Sequence, residues 1–439
     1  MRKSLYAGWV FVFACYISPA YSQFNIDGQF IPRAEFRNGY GKLISKDADP
    51  AAFVAHRLRL QAGYKQDAFT FYASVQDIRT WGSTSQAKIS DDFLSLYEAW
   101  LETGLGNNWK IRIGRQELNF DNARFLGNLD WALQGRSHDF IQVKYEKDKL
   151  NFQLGGGFNQ DGQKLSGNVF TVANQYKAAQ FARLGNTAGP FEYSLLLWND
   201  GRQFTRNDAS GAVAEKHTYY RQTIGLPTLK YKVRNTLLSG FYYYQLGKDP
   251  QGRKMRAYDA SALITQQLNI DSAVSRTLRI AGGAEILSGT SGNNTASVNR
   301  SFSPLYGTNH AHNGYMDLFY VGGAHENSVG LQDYFVKARL DFNSRFFTQL
   351  DGHGFFSQAN AYNSTGERMK RHLGTELDLS AGYIFNQAIS LQGGYSQFFH
   401  SDTFETIQNN GTLKKGQNWA YVMLIFRPTM KNKFIGVLL

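Results

Sequence analysis

Along most of this chain, apolar and polar residues alternate one for one. In "VAHRLRLQAGY" (Val54–Tyr64), one parity reads Val54, His56, Leu58, Leu60, Ala62, Tyr64, and the other Ala55, Arg57, Arg59, Gln61, Gly63. "NWKIRIG" sets Trp109, Ile111 and Ile113 against Lys110, Arg112 and Gly114. "LNFQLGGGFN" and "DFIQVKYEK" repeat the pattern, and "GTELDLSAGY" places Leu377, Leu379 and Ala381 opposite Glu376, Asp378 and Ser380. Successive side chains of a strand point to opposite faces, so a period of two predicts strands with one apolar and one polar face. About eighteen such runs can be counted, separated by turns such as "NGYGK" and "GKDPQG" and by several longer loops. No break in composition marks a second domain.

A soluble sandwich also alternates, with its polar face solvated. Two features favour a barrel in a membrane instead. Aromatic clusters such as "FYYYQ" (Phe241–Gln245) and "NWAY" (Asn418–Tyr421) sit where interfacial girdles are expected. The polar faces carry Arg and Glu with small Gly and Ser between them, as the lining of a lumen would. The fold expected is therefore all-β, a single-domain transmembrane antiparallel barrel of about 18 strands, wide enough to leave an aqueous channel.

Composition agrees. Aromatics make up 15% of the chain and mean hydropathy is −0.41. Outside the first residues, no apolar run approaches the roughly 20 residues a spanning helix needs. At the N-terminus, Arg2 and Lys3 precede the apolar run "LYAGWVFVFACYISP", and "AYS" follows before Gln23. This is the pattern of a secretory signal over residues 1–22, with residues 23–439 as the exported barrel. Cys15, the one cysteine, falls in that segment, so no disulfide or thiol chemistry is expected of the remainder. Without Arg2 and Lys3 the formal charge of +12 becomes +10, which favours anionic partners. Export argues against nucleic acid.

The most unusual stretch is "RIGRQELNFDNARFLGNLDWALQGRSHD" (Arg112–Asp139). It carries Arg112, Arg115, Arg124 and Arg136 beside Glu117, Asp121, Asp130 and Asp139. Its start reads as a strand. The rest is too irregular for one and reads as a long connection to the strand that begins near Asp139. That connection either folds inward to narrow the lumen, with Arg124 and Arg136 paired to Asp130 and Asp139, or forms a salt-bridged surface loop.

Several blocks together resemble the alginate-export family of outer-membrane proteins: "AFVAHRLRLQAGY", "SVQDIRTWG", "LSLYEAWLE", "KIRIGRQELNFDNARFLGNLDWALQGRSHDF", "GAEILSG", "PLYGTNHAHNGYMDLFY" and "LGTELDLSAGY". The similarity runs from about Gln23 to Pro428. The resemblance implies a monomeric eighteen-stranded barrel in the outer membrane of a Gram-negative bacterium, with an arginine-lined pore passing an anionic uronate polymer. Carried over residue by residue, the pore arginines are Arg57, Arg59, Arg79, Arg112, Arg115, Arg124 and Arg136. Asp77, Glu98, Glu117, Asp121, Asp130 and Asp139 are the carboxylates that pair with them. A guanidinium fork matches a carboxylate, and carboxylates sharing that fork keep a polyanion from binding too tightly to leave. One departure is the end of the chain: "WAYVMLIFRP" reads as the last strand, yet "TMKNKFIGVLL" follows it.

Other chemistries rank lower. Glu98 with Glu102, or Glu117 with Asp121, offers a carboxylate pair for glycoside hydrolysis, but a general acid needs a raised pKa and these groups lie among arginines. His310 and His312, with Asp317 and His325 nearby, have spacing that can hold a metal, though in a Gly- and Asn-rich loop solvated or sugar-contacting side chains are the simpler reading. "LGGGFNQDG" lacks the following helix of a phosphate cradle. "NNT" (Asn293–Thr295) matches a glycosylation acceptor but means little in a bacterial-type barrel. No enzyme activity, cofactor or metal is expected. The leading expectation is a passive channel for alginate or a related uronate; the alternative is a general anion-preferring porin for small solutes.

Overall fold

The computed structural model describes residues 23–87, 90, 93–293, 297–408, 412–436 and 439. The expected signal segment 1–22, with Cys15, and most of the "NNT" acceptor lie outside the described residues. Among the described residues, eighteen long strands run from Phe24–Asn38 to Gln417–Phe426, each antiparallel to its neighbours in sequence. The first pairs with the last, Arg33 opposite Met423, so the sheet closes into a barrel with no free edge. A two-residue strand, Val298–Asn299, pairs parallel with Lys254 and Met255 and belongs to a loop rather than the wall.

The alternation sets which way each side chain faces. Leu58, Leu60, Ile113, Ile141, Leu154, Leu197, Val336, Leu377 and Leu379 are exposed on the outer wall. Arg57, Arg59, Gln142, Glu376 and Asp378 are buried inside. Apolar outside and polar inside is the reverse of a soluble protein and suits a wall surrounded by lipid. No described helix is long and apolar enough to cross a membrane; the crossing is made by strands.

The two ends differ. At one end, tight turns join the strands, as at Asn107–Asn108, where φ values of 49° and 68° make the two-residue turn that matches strand twist. At the other end most connections are longer, and barrels of this kind keep short turns on the periplasmic side. Two of the long connections, residues 117–137 and, in the second, 297–330, fold into the lumen. Leu118, Phe125, Leu126 and Trp131 of the first are buried, as are Phe302, Tyr306, Tyr315, Met316 and Phe319 of the second. The two loops hold each other: Gly127 N–H donates to Tyr306 O at 2.9 Å, and Thr308 N–H to Ala123 O at 2.8 Å.

This inward packing corrects two expectations. The interior contains an aromatic core, with Trp198 5.5 Å from Tyr306 and Phe125 5.8 Å from Tyr243, so it is not a simple open channel. Trp419, Tyr421 and Tyr243 are also buried, facing the loops from the inner wall, whereas only alternate members of those clusters, such as Tyr242, face outward. An aromatic cluster on a strand supplies both faces at once, and period two divides it between girdle and lumen.

The last strand ends at Phe426, and the chain beyond it turns back into the barrel instead of adding a strand. Phe434 packs edge-on against Phe347 at 4.7 Å, and both Phe434 and Ile435 are buried.

Candidate functional site

The inward loops leave a cavity at each end of the lumen. The loop-end cavity, about 690 Å³, is lined by Arg33, Arg37, Arg136, Tyr40, Phe53 and Trp131, among others. The turn-end cavity, about 540 Å³, is lined by Lys230, Lys232, Arg234, Arg279 and Lys337 together with Glu285 and Asp333. One short segment lies between them. Asn309 and His310 border the loop-end cavity, while Ala311, His312 and Asn313 border the other.

Arg124 holds that partition in place. It is fully buried, with Nε 3.1 Å from Asp259 and 2.6 Å from Glu285, both on the opposite wall. Its other nitrogens donate to Asn309 at 3.3 Å and Asn313 at 2.9 Å. Burial alone would pull its pKa down, but Glu285 and Asp259 reverse this and raise it. Asn313 also donates to Glu285 at 3.0 Å, and His310 pairs with Asp317 at 2.6 Å while stacking on Trp131 at 4.1 Å. Burial and the nearby Arg124 and Lys337 keep His312 neutral. Among the described residues, no three His, Cys, Asp or Glu side chains converge on a point fit for a metal.

Asp130 anchors the first loop from the other side. It meets Arg57 at 2.8 Å and Arg427 at 2.7 Å. Burial opposes its charge, but these two guanidiniums lower its pKa to about 2. Arg57 is fully buried and also donates to Gln29 at 3.2 Å and Leu133 O at 3.3 Å. The inward fold of the connection is therefore one of the two expected readings, but its pairing differs. Arg124 and Asp130 reach across to the wall instead of to each other, and Arg136 meets no carboxylate among the described residues. A short local loop could satisfy its own charges; a loop that crosses a lumen satisfies them on the strands it meets.

The other expected site residues divide by strand parity. Arg59 and Arg112 face the lumen: Arg59 donates to Gln76 at 2.7 Å and lies 3.5 Å over the Tyr97 ring. Arg112 pairs with Glu102 at 2.8 Å and lies 3.7 Å over Trp100. Glu98 and Glu117 are inside, but neither forms an ion pair with an arginine among the described residues. Glu98 accepts from Trp100 Nε1 and from the Glu117 backbone, and Glu117 from Tyr97 at 2.6 Å and Asn128 at 3.1 Å. Asp121 pairs with Arg183 at 2.6 Å.

Three of the expected residues, Asp77, Arg115 and Asp139, lie outside the pore, and a fourth, Arg79, has outward strand parity yet borders the loop-end cavity at its rim. Asp77 stands opposite the outward Leu58, and Arg79 opposite His56, so both share the outer face, paired to each other through Nε at 2.8 Å. Arg115 and Asp139 stand opposite each other on the outer face, 38% and 58% exposed, 3.0 Å apart. Inward Gly114 and Gln116 flank Arg115, so its charge falls on the wrong parity for the lumen. Near the rim, the outer wall tolerates paired charges because headgroups and water replace acyl chains there.

Sequence reading passed over Arg33, Glu35 and Arg37. Arg33 meets Glu35 at 2.9 Å and Trp131 O at 2.8 Å; Arg37 meets Glu35 at 2.9 Å and lies 4.3 Å over Tyr40. The signal was present in "PRAEFRN", where three charges recur at period two. Arg136 is the least committed of the cavity's guanidiniums: it donates to Gly307 O at 2.9 Å, and burial lowers its pKa to about 10, which leaves it charged at neutral pH.

An eighteen-stranded wall, a polar lumen and inward loops between two basic cavities define an outer-membrane β-barrel of the porin-like channel class. The profile of the alginate-export family matches residues 33–413, and the chain belongs to that family. Similar solved structures include OccK1 (OpdK) of Pseudomonas aeruginosa, at 12% identity and a TM-score of 0.55, covering 92% of this chain and 98% of that one. OccAB4 of Acinetobacter baumannii aligns at 12% identity and a TM-score of 0.58, covering 92% and 97%. OpdK has also been solved with vanillate, again at 12% identity and 0.55, covering 92% and 98%. At such identities the likeness is one of fold. No curated protein matches the chain.

Proposed function

We propose that this barrel is a selective channel by which short stretches of an acidic polysaccharide, alginate or a related uronate, diffuse passively across the outer membrane of a Gram-negative bacterium. The observation that carries this reading is the loop-end cavity, where Arg136 has guanidinium N–H groups beyond its one bond to Gly307 O, in a lining that also holds Tyr40, Phe53 and Trp131. A uronate presents a carboxylate that a guanidinium fork fits and a sugar face that rings can cover. The barrel acts as a monomer and performs no catalysis. Of the carboxylates weighed for hydrolysis, Glu102 is held by Arg112 at 2.8 Å and Lys144 at 3.0 Å, so its oxygens are engaged and not free to attack a sugar.

A second reading, a channel for small carboxylates, is favoured by one feature: the segment 309–313 splits the lumen into cavities of about 690 and 540 Å³, which fit short solutes better than a threaded polymer. The vanillate bound to OpdK is such a small acid. Uptake into proteoliposomes separates the two. Tri- and tetra-uronates entering faster than neutral oligosaccharides of equal length supports the first reading; entry of monomeric acids alone supports the second. Equal entry of acidic and neutral solutes contradicts both. Sizing a polyuronate after incubation with the protein checks for cleavage, and shorter products would overturn the non-enzymatic reading.

A further inference from the structure

The chain beyond Phe426 is held inside the turn-end mouth by contacts made along its length. Arg427 reaches Asp130 of the inward loop at 2.7 Å. Ser390 Oγ donates to Lys433 O at 2.5 Å. Gln392, on the lumen face, brackets Ile435, donating to its carbonyl at 2.8 Å and accepting from its N–H at 3.0 Å. Phe434 fills the space over Gly382 and against Phe347. Leu439 N–H donates to Gln349 Oε1 at 3.1 Å, and Arg279 donates to the Leu439 main-chain oxygen while meeting Asp341 at 2.5 Å. Arg279 Nε is buried with no hydrogen-bond partner. At the mouth, Lys232 and Arg234 are exposed and meet no carboxylate among the described residues.

A strand wall does not need this segment, because the barrel closes through Phe24–Asn38 and Gln417–Phe426. What the segment does is place a main-chain oxygen on a guanidinium inside a basic cavity, the position an entering carboxylate would take. We propose that the turn-end cavity is a second anion site, where Arg279, with Lys232 and Arg234 lining the same cavity, takes a uronate carboxylate, and that the described part of the returning chain, residues 428–436 with Leu439, is its resident, displaceable occupant. Anions arriving from the turn side compete with the tail, so the tail sets how readily the channel is entered from that side. This rests on the reading of the barrel as an anion channel, and deepens it.

Single-channel recording in a planar bilayer, with tri-uronate added to the turn-side chamber, tests the proposal. Three proteins are compared: the full chain, a Phe434→Ser/Ile435→Ser variant that unlatches the tail, and the same variant carrying Arg279→Gln. Unlatching should raise conductance and lower the half-blocking concentration about tenfold, the worth of freeing one charge-assisted carboxylate contact; adding Arg279→Gln should restore the weak block. Arg279→Gln alone, which leaves the latch residues intact, should abolish what turn-side block the full chain shows. Folded, unlatched channels with unchanged conductance and unchanged block would overturn the proposal. So would an unchanged turn-side block in Arg279→Gln alone, should the unlatched variants not assemble. Failure of the full chain to select anions at all, from either side, would instead overturn the channel reading itself.

Discussion

Two sets of arginines stand within one lumen and differ in what surrounds them. Arg124 and Arg57 are fully buried, each tied to carboxylates and carbonyls that fix a loop against the wall. Arg136 lines the loop-end cavity bonded to a single carbonyl, Gly307 O, while Arg37 beside it is a third exposed and shares its guanidinium with the buried Glu35. Identical side chains therefore do opposite work. A guanidinium whose donors are spent on buried carboxylates holds structure, and one with donors left over in a cavity can meet a solute.

The comparison breaks most readily at Arg124. Replacing it with Ala strands Asp259 and Glu285 as buried carboxylates without their cation. A loss of about 3–5 kcal/mol is expected, read as a shift of the urea-unfolding midpoint. A midpoint unchanged by Arg124→Ala would place Arg124 among the uncommitted arginines. Asp130 comes next. Its pKa of about 2 lies below that of an unfolded carboxylate, so its anchoring is complete above about pH 4 and is lost as pH falls toward 2, a loss of about 2 kcal/mol. Open-channel noise recorded across that interval should rise as the first loop loosens, and Asp130→Asn should show the noise already at pH 7. At Arg136 the expectation reverses: Arg136→Gln should leave the unfolding midpoint in place but weaken loop-side uronate block about tenfold, roughly one charge-assisted bond. Smallest of all is Arg115→Ala. The exposed pair with Asp139 is worth less than about 1 kcal/mol, and block should not change, since that side chain faces outward.

Much of the fold was legible because period two is a local property. The faces read for Val54–Tyr64 and for "GTELDLSAGY" are those observed, with Leu58 and Leu377 outside and Arg57 and Glu376 inside. Parity near the rim was harder. Asp77, Arg79, Arg115 and Asp139 are charged, and charge suggests a lumen, but their register places them outside. At Tyr97 the pairing shifts by one residue, so Tyr97 and Glu98 both turn inward, a bulge that no alternation reveals. Arg124 finds Asp259 and Glu285, and Asp130 finds Arg427, more than a hundred residues away, and Asp130's other partner, Arg57, lies 73 residues away. Local spacing carries no information about such contacts. The tail was visible as a departure, but its return into the lumen depends on Phe347 and Gln392 on other strands.

The central claim is that the loop-end cavity distinguishes acidic from neutral sugars. The direct measurement is current block of single channels by tri-uronate and by a neutral trisaccharide, each added on the loop side at neutral pH and fixed salt. The account predicts block by the acidic sugar at a concentration at least about tenfold lower, with the advantage shrinking as salt screens the cavity. Equal half-blocking concentrations for the two sugars would contradict it.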